Sequence, residues 1–348
     1  MVVGHGGMDK PQIVNVIQSL SGYSLADLQQ LGKAVEQAVR VNLSAAVGQS
    51  KNRPPCPVCK SENPYRWGKS GTDQRWRCRT CGKTYANLTG TPLAYAKKRP
   101  ELLEAAKNML GDDPLSCRKL GELLGVNRMT AWRWRLKILR SLDSFGDTQL
   151  RNLVEADETF FRESRKGSRE WALHHDGDGP APPRPRWRDY DRLREPLPRG
   201  LSRWQIPILV LRDRTGKTCS RRLASLKHAS FEPVLDEAMA PDALLCTDGG
   251  AVYRKWAKSR NRAVEQVNTK RGIHVRNGVF HIQNANSYHS RLKDFMRPFR
   301  GPAARYLTLY VGWMAFRDRL RVTTIIGNPL IDRLLKHKRQ PDETRKGH

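Results

Sequence analysis

No apolar run in the 348 residues approaches the ~18 needed to cross a bilayer. The opening MVVGHGGMDKPQ has neither the basic nor the apolar region of a secretory leader. These absences lead to the expectation of a cytoplasmic, nucleoid-associated protein with no membrane partner. Acidic residues are scarce: 34 Asp and Glu stand against 63 Lys and Arg, a formal net charge of +29. Such a field exceeds what solubility requires and suits a polyanion, double-stranded DNA above all, rather than a small-molecule substrate. Charge alone does not separate an enzyme from a ribosomal or chromatin-type protein that binds phosphate without chemistry. The cysteine pattern, two Cys-x-x-Cys pairs and three isolated residues, suits metal binding in a reducing compartment better than a disulfide framework. Of seven, Cys117, Cys219 and Cys246 stand alone in apolar or helical contexts, as buried packing residues do. Internal repeats are lacking as well.

What is present is enough for a folded protein. Hydrophobic residues make up 38% of the chain, and the length suits about two or three domains. Residues 1–50 read as a helical N-terminal arm, with apolar spacing at Leu25, Leu28, Leu31 and Val35. A Cys-bearing stretch rich in Pro and Gly follows over 51–92, and then an Arg-rich helical segment over 93–148. From Leu150 the pattern turns strand-like, through LVEADETFF, RWQIPILVLRD, TCSRRLASL and ALLCTDGG, and ends in a long helical pattern from about 286 to 321. That order predicts an α/β (α+β) domain over 149–325 with a mixed sheet flanked by helices. An insertion over 163–200, dense in Arg, Pro, Gly and Asp, cannot build a core of its own. Residues 326–348 read as a solvated basic tail.

Cys56-x-x-Cys59 and Cys78-x-x-Cys81, separated by 18 residues, match the two knuckles of a four-thiolate zinc ribbon, because each turn offers two soft ligands on one side. Gly82 suits such a knuckle. The neighbouring Tyr65, Arg66, Trp67, Arg75, Trp76 and Arg77 give basic, aromatic strands suited to nucleic acid or a partner protein; the alternative is a zinc site that only holds the fold. Further on, SCRKLGELLGVNRMTAWRWRLKIL reads as a helix ending at Gly125, a tight turn, and a second helix capped at Asn127. Helical spacing turns Met129, Trp132, Leu136 and Leu139 inward and leaves Arg128, Thr130, Arg133, Arg135 and Lys137 for a DNA major groove. A solvated basic face is the plainer alternative.

Phosphoryl transfer on DNA requires two divalent cations, Mg²⁺ or Mn²⁺, roughly 4 Å apart and held by carboxylates. Asp157 in VEADETFF and Asp248 in ALLCTDGG lie at strand ends, and the Gly-Gly after Asp248 permits close approach of backbone and DNA. Taken singly, each also suits a cap or turn.

As a set, these residues resemble the ISXO-like insertion-sequence transposases, DDE-type enzymes with an N-terminal zinc ribbon. The resemblance is carried by CPVC and CRTC followed by NLTGTPL, by VEADETFF with ESRKGSR, by RWQIPILVLRDRTGKT, by LLCTDGGAVY, and by HIQNANSYHSRLKDFMRPFRGPAARYLTLYVGW. It implies a ribonuclease-H-like catalytic domain with Asp157 and Asp248 as the first two metal ligands. Family members usually carry Glu as the third, a few residues after a His and seven before a Lys. Here His281 precedes Asn286, and Lys293 stands seven beyond it, which looks like the family's Asp-Asp-Asn-Lys subgroup. An Asn carbonyl ligates Mg²⁺ without charge, so metal affinity should be lower. Asn286, His289 and Lys293 share one helix face, where His289 would ligate or move a proton and Lys293 would neutralise phosphate. The bland reading makes Asn286 a helix cap, and Glu155, Glu158 and Glu265 stand in reserve as ligands. The resemblance thus implies a bacterial transposase that binds terminal inverted repeats and performs strand cleavage and transfer as a homo-oligomer on DNA. The alternative is a catalytically inactive, transposase-derived regulator that keeps sequence-specific binding.

Overall fold

The computed structural model describes residues 19–34, 53–71, 73–111, 113–142, 149–164, 166–167, 205–267 and 271–322. The expected basic tail lies outside these residues, as do most of the 163–200 insertion and most of the 1–50 arm, Val35 included. The chain divides into two compact units, Met1–Glu104 and Ala105–His348, and the division falls inside the helix Arg99–Leu110, α1.

In the first unit, residues 25–34 are helical, started by Ser24, whose Oγ accepts the Asp27 N–H at 3.2 Å. Leu28 is half-buried there, whereas Leu25 and Leu31 are exposed. Strands β1 (Pro64–Ser70), β2 (Asp73–Cys78) and β3 (Thr84–Ala86) form an antiparallel sheet in that order. Its core consists of Trp76 and Tyr85 packed on Cys56 and Cys78. Trp76 is thus buried, not part of an exposed aromatic face as expected, and its indole N–H donates to Asn87 Oδ1 at 2.5 Å. So few apolar groups hold a small sheet only with a cross-link or a metal.

The second unit opens with α2 (Cys117–Leu124) and α3 (Arg128–Leu142). Ser116 caps α2, and Gly125 ends it in the left-handed region at φ 60°. Gly121 lets the two helices close: a Cβ there would stand 2.8 Å from the Val126 carbonyl oxygen. Asn127 accepts the Met129 N–H at 2.8 Å and starts α3.

The sheet follows, with strands β4 (Leu153–Arg162), β5 (Gln205–Asp213), β6 (Thr218–Arg222), β7 (Leu244–Thr247) and β8 (Val264–Gln266). Its order is β6-β5-β4-β7-β8. The first three strands are antiparallel neighbours, and β4, β7 and β8 run parallel. This mixed order is the ribonuclease-H-like arrangement. Two-sided burial of the IPILVL run makes β5 an interior strand. Helices α4 (His228–Ala238) and α5 (Ala251–Ser259) bury Phe231, Leu235, Tyr253 and Trp256 on one face, against Val154, Ala156, Leu209 and Leu211. Helices α6 (Gln283–Met296) and α7 (Leu307–Val322) complete the unit. On α7, Trp313 is fully buried among Phe295, Phe299 and Tyr310 and donates its indole N–H to the Met109 carbonyl at 2.9 Å.

Candidate functional site

The four paired cysteines converge. Cys56 Sγ lies 3.6 Å from Cys81 Sγ and Cys59 Sγ 3.5 Å from Cys78 Sγ, and all four sulfurs fall within 4.8 Å of one another. A tetrahedron with Zn–S bonds of about 2.3 Å has edges of roughly 3.8 Å, so the donor set fits that metal. Each knuckle is built the same way. Lys60 donates its N–H to the Cys56 carbonyl and Gly82 to the Cys78 carbonyl, and both turn residues sit at positive φ, 63° and 67°. Gly82 meets that need without strain. Backbone N–H groups aimed at its sulfur pull the Cys78 thiol down to about 6, toward the thiolate that binds metal. On the surface of this unit the Arg77 guanidinium lies 4.7 Å from the Trp67 ring and that of Arg79 4.8 Å from the Tyr65 ring.

The helix pair presents a different face from the one expected. Ala131, Arg135, Leu136, Ile138, Leu139 and Leu142 are buried, while Met129, assigned inward from its spacing, is 45% exposed. Arg135, expected to face DNA, is 1% exposed. Its guanidinium lies over the Phe299 and Trp313 rings and donates to the Leu115 carbonyl. The cause is tertiary: α3 packs on aromatic rings from the far end of the unit, and a planar guanidinium stacks on them where a lysine would not. Arg128 and Arg133 remain exposed, and Thr130 and Lys137 are half-buried.

The register of β4 and β7 decides where the two aspartates meet. Ala156 pairs with Thr247 in parallel, so Asp157 and Asp248 stand side by side one residue further along, at the carboxyl end of β7. Asp157 is pushed up from 3.8 to about 7, first by burial, then by the Glu158 and Asp248 charges, with Lys293 opposing. A carboxylate so placed favours a cation beside it. Glu158 points to the opposite face of the strand, where it accepts from the Tyr253 hydroxyl; burial and the Asp248 charge raise it too.

Glu155 shares the Asp157 face and is fully buried. Its Oε1 accepts from Asn284 Nδ2 at 2.8 Å and lies 2.6 Å from Arg214 Nη1, and its Oε2 accepts the Ala285 N–H at 2.9 Å. It therefore anchors the N-terminus of α6, so this reserve ligand is fully engaged elsewhere. Glu265, the other reserve, pairs with Arg276 at 3.1 Å.

Helix α6 thus lies along the aspartates. His289 is buried, with Nδ1 3.6 Å from Asp157 Oδ2 and no hydrogen-bond partner at Nε2. Burial, then the Lys293 charge, depress it to about 4, so it is neutral at physiological pH. Asn286 and Lys293 are exposed on the same helix. Asn286 is not the cap: α6 begins at Gln283, and the Asn286 N–H already donates to the Ile282 carbonyl at 3.0 Å. The Arg214–Glu155 link escaped sequence reasoning. Its only trace is an arginine just beyond the acidic end of a buried strand.

The family profile of ISXO2-like transposase domains matches residues 149–318. That span, just under half of the chain, is similar to the family's domain. A curated relative, an uncharacterised protein in the transposable element ISH50 of Halobacterium salinarum, is 25% identical over 285 residues, covering 81% of this chain and 90% of the relative. Two solved structures are also similar. The pre-cleavage Mos1 transpososome is 12% identical with a TM-score of 0.19, over 64% of this chain and 77% of that one. The Mos1 paired-end complex with the left transposon end is 12% identical with a TM-score of 0.21, over 68% and 80%. In the matched region Asp157 on β4, Asp248 just beyond β7, and His289 and Lys293 on α6 come together. Among the described residues no helix is long and apolar enough to cross a membrane.

Proposed function

We propose that this transposase binds the terminal inverted repeats of its element through the ribbon and the helix pair, and cuts and rejoins DNA at Asp157 and Asp248. The observation that carries the reading is the register that sets these two carboxylates on neighbouring parallel strands, with His289 and Lys293 above them on α6. Bound Mg²⁺ or Mn²⁺ would supply the charge that activates the attacking oxygen and stabilises the leaving one. Asp157 and Asp248 would hold the ions, and Asn286 offers a neutral carbonyl within the same helix face. Neutral His289 lies beside Asp157, with Nδ1 3.6 Å from Oδ2, and lines the carboxylate site without adding charge to it. Lys293 neutralises the scissile phosphate, and Arg128 and Arg133 read or clamp the end DNA. Water attack releases a 3′-hydroxyl, which then attacks target DNA in line. Joining two ends calls for a homo-oligomer on DNA. The four thiolates hold Zn²⁺ as the structural core of the ribbon.

The test is cleavage and joining on a duplex bearing the element's ends, with Mg²⁺ or Mn²⁺. Intact protein should give joined products, and Asp157→Ala, Asp248→Ala and Asn286→Ala should lose them while still binding. Binding without cutting under either metal would instead favour a transposase-derived regulator. One zinc per chain, lost in Cys78→Ser, is expected by metal analysis.

A further inference from the structure

The segment between β8 and α6 performs no task described so far. Residues 271–279 are exposed throughout, and Ile273, Val275 and Val279 expose 47%, 43% and 55% of their surface. The backbone there nonetheless closes a tight loop over 276–280 through one antiparallel bridge, preceded by irregular chain. Arg276 and Phe280 exchange both backbone hydrogen bonds at 2.9 Å around a turn with Asn277 and Gly278 at positive φ, 50° and 70°. A single bridged turn is marginally stable alone, but this hairpin turn is fastened from outside. Arg214 Nη2 donates to the Val279 carbonyl at 2.6 Å, and Arg276 pairs with Glu265 on β8. The same Arg214 pairs with Glu155, two residues before Asp157. The hairpin is thereby tied to the strand that carries the candidate catalytic aspartate.

Its chemistry indicates the occupant. From Val267 to Lys293 the sequence contains no Asp or Glu, while Arg271, His274, Arg276 and His281 interleave with the β-branched residues. A stretch of cations with no carboxylate among them suits a polyanion better than a mixed-charge protein surface. Apolar side chains among cations and close to a carboxylate site match minor-groove and wedge contacts to duplex DNA, where apolar residues enter between base steps and cations hold the flanking phosphates.

We propose that the 271–280 hairpin is a DNA wedge. Ile273, Val275 and Val279 lodge against the base steps beside the cleavage point and unstack them, so that the scissile strand can bend toward Asp157 and Asp248. The proposal rests on the transposase reading.

The experiment uses the full chain, zinc-loaded, with a duplex carrying the element's own end and its flank, probed by permanganate oxidation of unstacked thymines. Intact protein should render thymines at the junction reactive. The triple variant Ile273→Ser, Val275→Ser, Val279→Ser should bind within about threefold but lose roughly tenfold of that reactivity and of cleavage. A duplex already unpaired at the junction should restore its cleavage, which a merely misfolded variant would not show. Thermal melting of the triple variant and of Val275→Ser alone checks that the fold is kept. Bound intact protein without thymine reactivity, or a triple variant that keeps it, overturns the wedge while leaving the transposase reading intact. Failure of the intact protein to bind the ends at all sinks both.

Discussion

Glu155 and Asp157 lie two residues apart on one face of β4, and their surroundings make opposite demands. Glu155 is wrapped by Arg214, Asn284 and the Ala285 N–H, so removing it leaves cationic and N–H groups without an acceptor. Glu155→Ala should cost about 3 kcal/mol and Glu155→Gln about half of that, read as shifts in urea midpoint. Equal effects of the two would show that charge is not what matters there. Asp157 is raised to about 7, so in the metal-free protein its contribution is fully present below its ordinary 3.8 and is lost as pH rises to about 7. Asp157→Asn should therefore raise the metal-free melting temperature at pH 8, by a stability gain of roughly 1–3 kcal/mol, and give no gain at pH 4. His289, depressed to about 4, acts in the other direction: its contribution is present above its ordinary 6.5 and is lost as pH falls toward 4. A variant less stable than the intact protein at pH 8 would rule out the raised carboxyl.

At the level of elements, α3 divides cleanly into a buried and a wet face. Arg133→Ala should weaken end binding by about 1–3 kcal/mol in a gel-shift titration, with little change in melting temperature. Arg135→Met should do the reverse, leaving intrinsic DNA contacts alone and lowering the melting temperature. If Arg135→Met weakens DNA binding at unchanged stability, the buried assignment is wrong. The helix pair itself was legible in the sequence because caps and turn residues act locally: Asn127 and Gly125 carry their signals within a few positions. The cysteine knuckles were legible for the same reason, whereas the pairing of Asp157 with Asp248 came from the family resemblance and not from the strand pattern, which left Glu155 and Glu158 as alternatives. Arg135 and Trp76 were not legible, since their burial is imposed by side chains distant in sequence or by a metal-sized core that no periodicity announces. Glu155 failed for a related reason. A carboxylate that caps a helix 130 residues away looks, along its own strand, like any acidic neighbour of a ligand.

For the whole molecule, the +29 charge predicts that binding to DNA ends weakens steeply with salt, with log K falling by about 0.9 per log unit of salt for each phosphate neutralised. A flat salt response, measured from 50 to 200 mM, would contradict an electrostatic DNA partner. The same scale shows how the second unit is stitched together. Trp313 on α7 donates to Met109, 204 residues earlier, and Arg317 donates to Gly111, 206 residues earlier. Contacts of such sequence separation form late, after much loop-closure entropy has been lost. On a ribosome, which releases the N-terminal residues first, the ribbon can close around its metal early, while α2 and α3 must wait for α7. Chains ending at residue 306 should accordingly keep zinc but yield a helix pair rapidly cut by protease. Unfinished or prematurely terminated copies would then be poor competitors for the element's ends, and recognition becomes a property acquired only at the completion of synthesis.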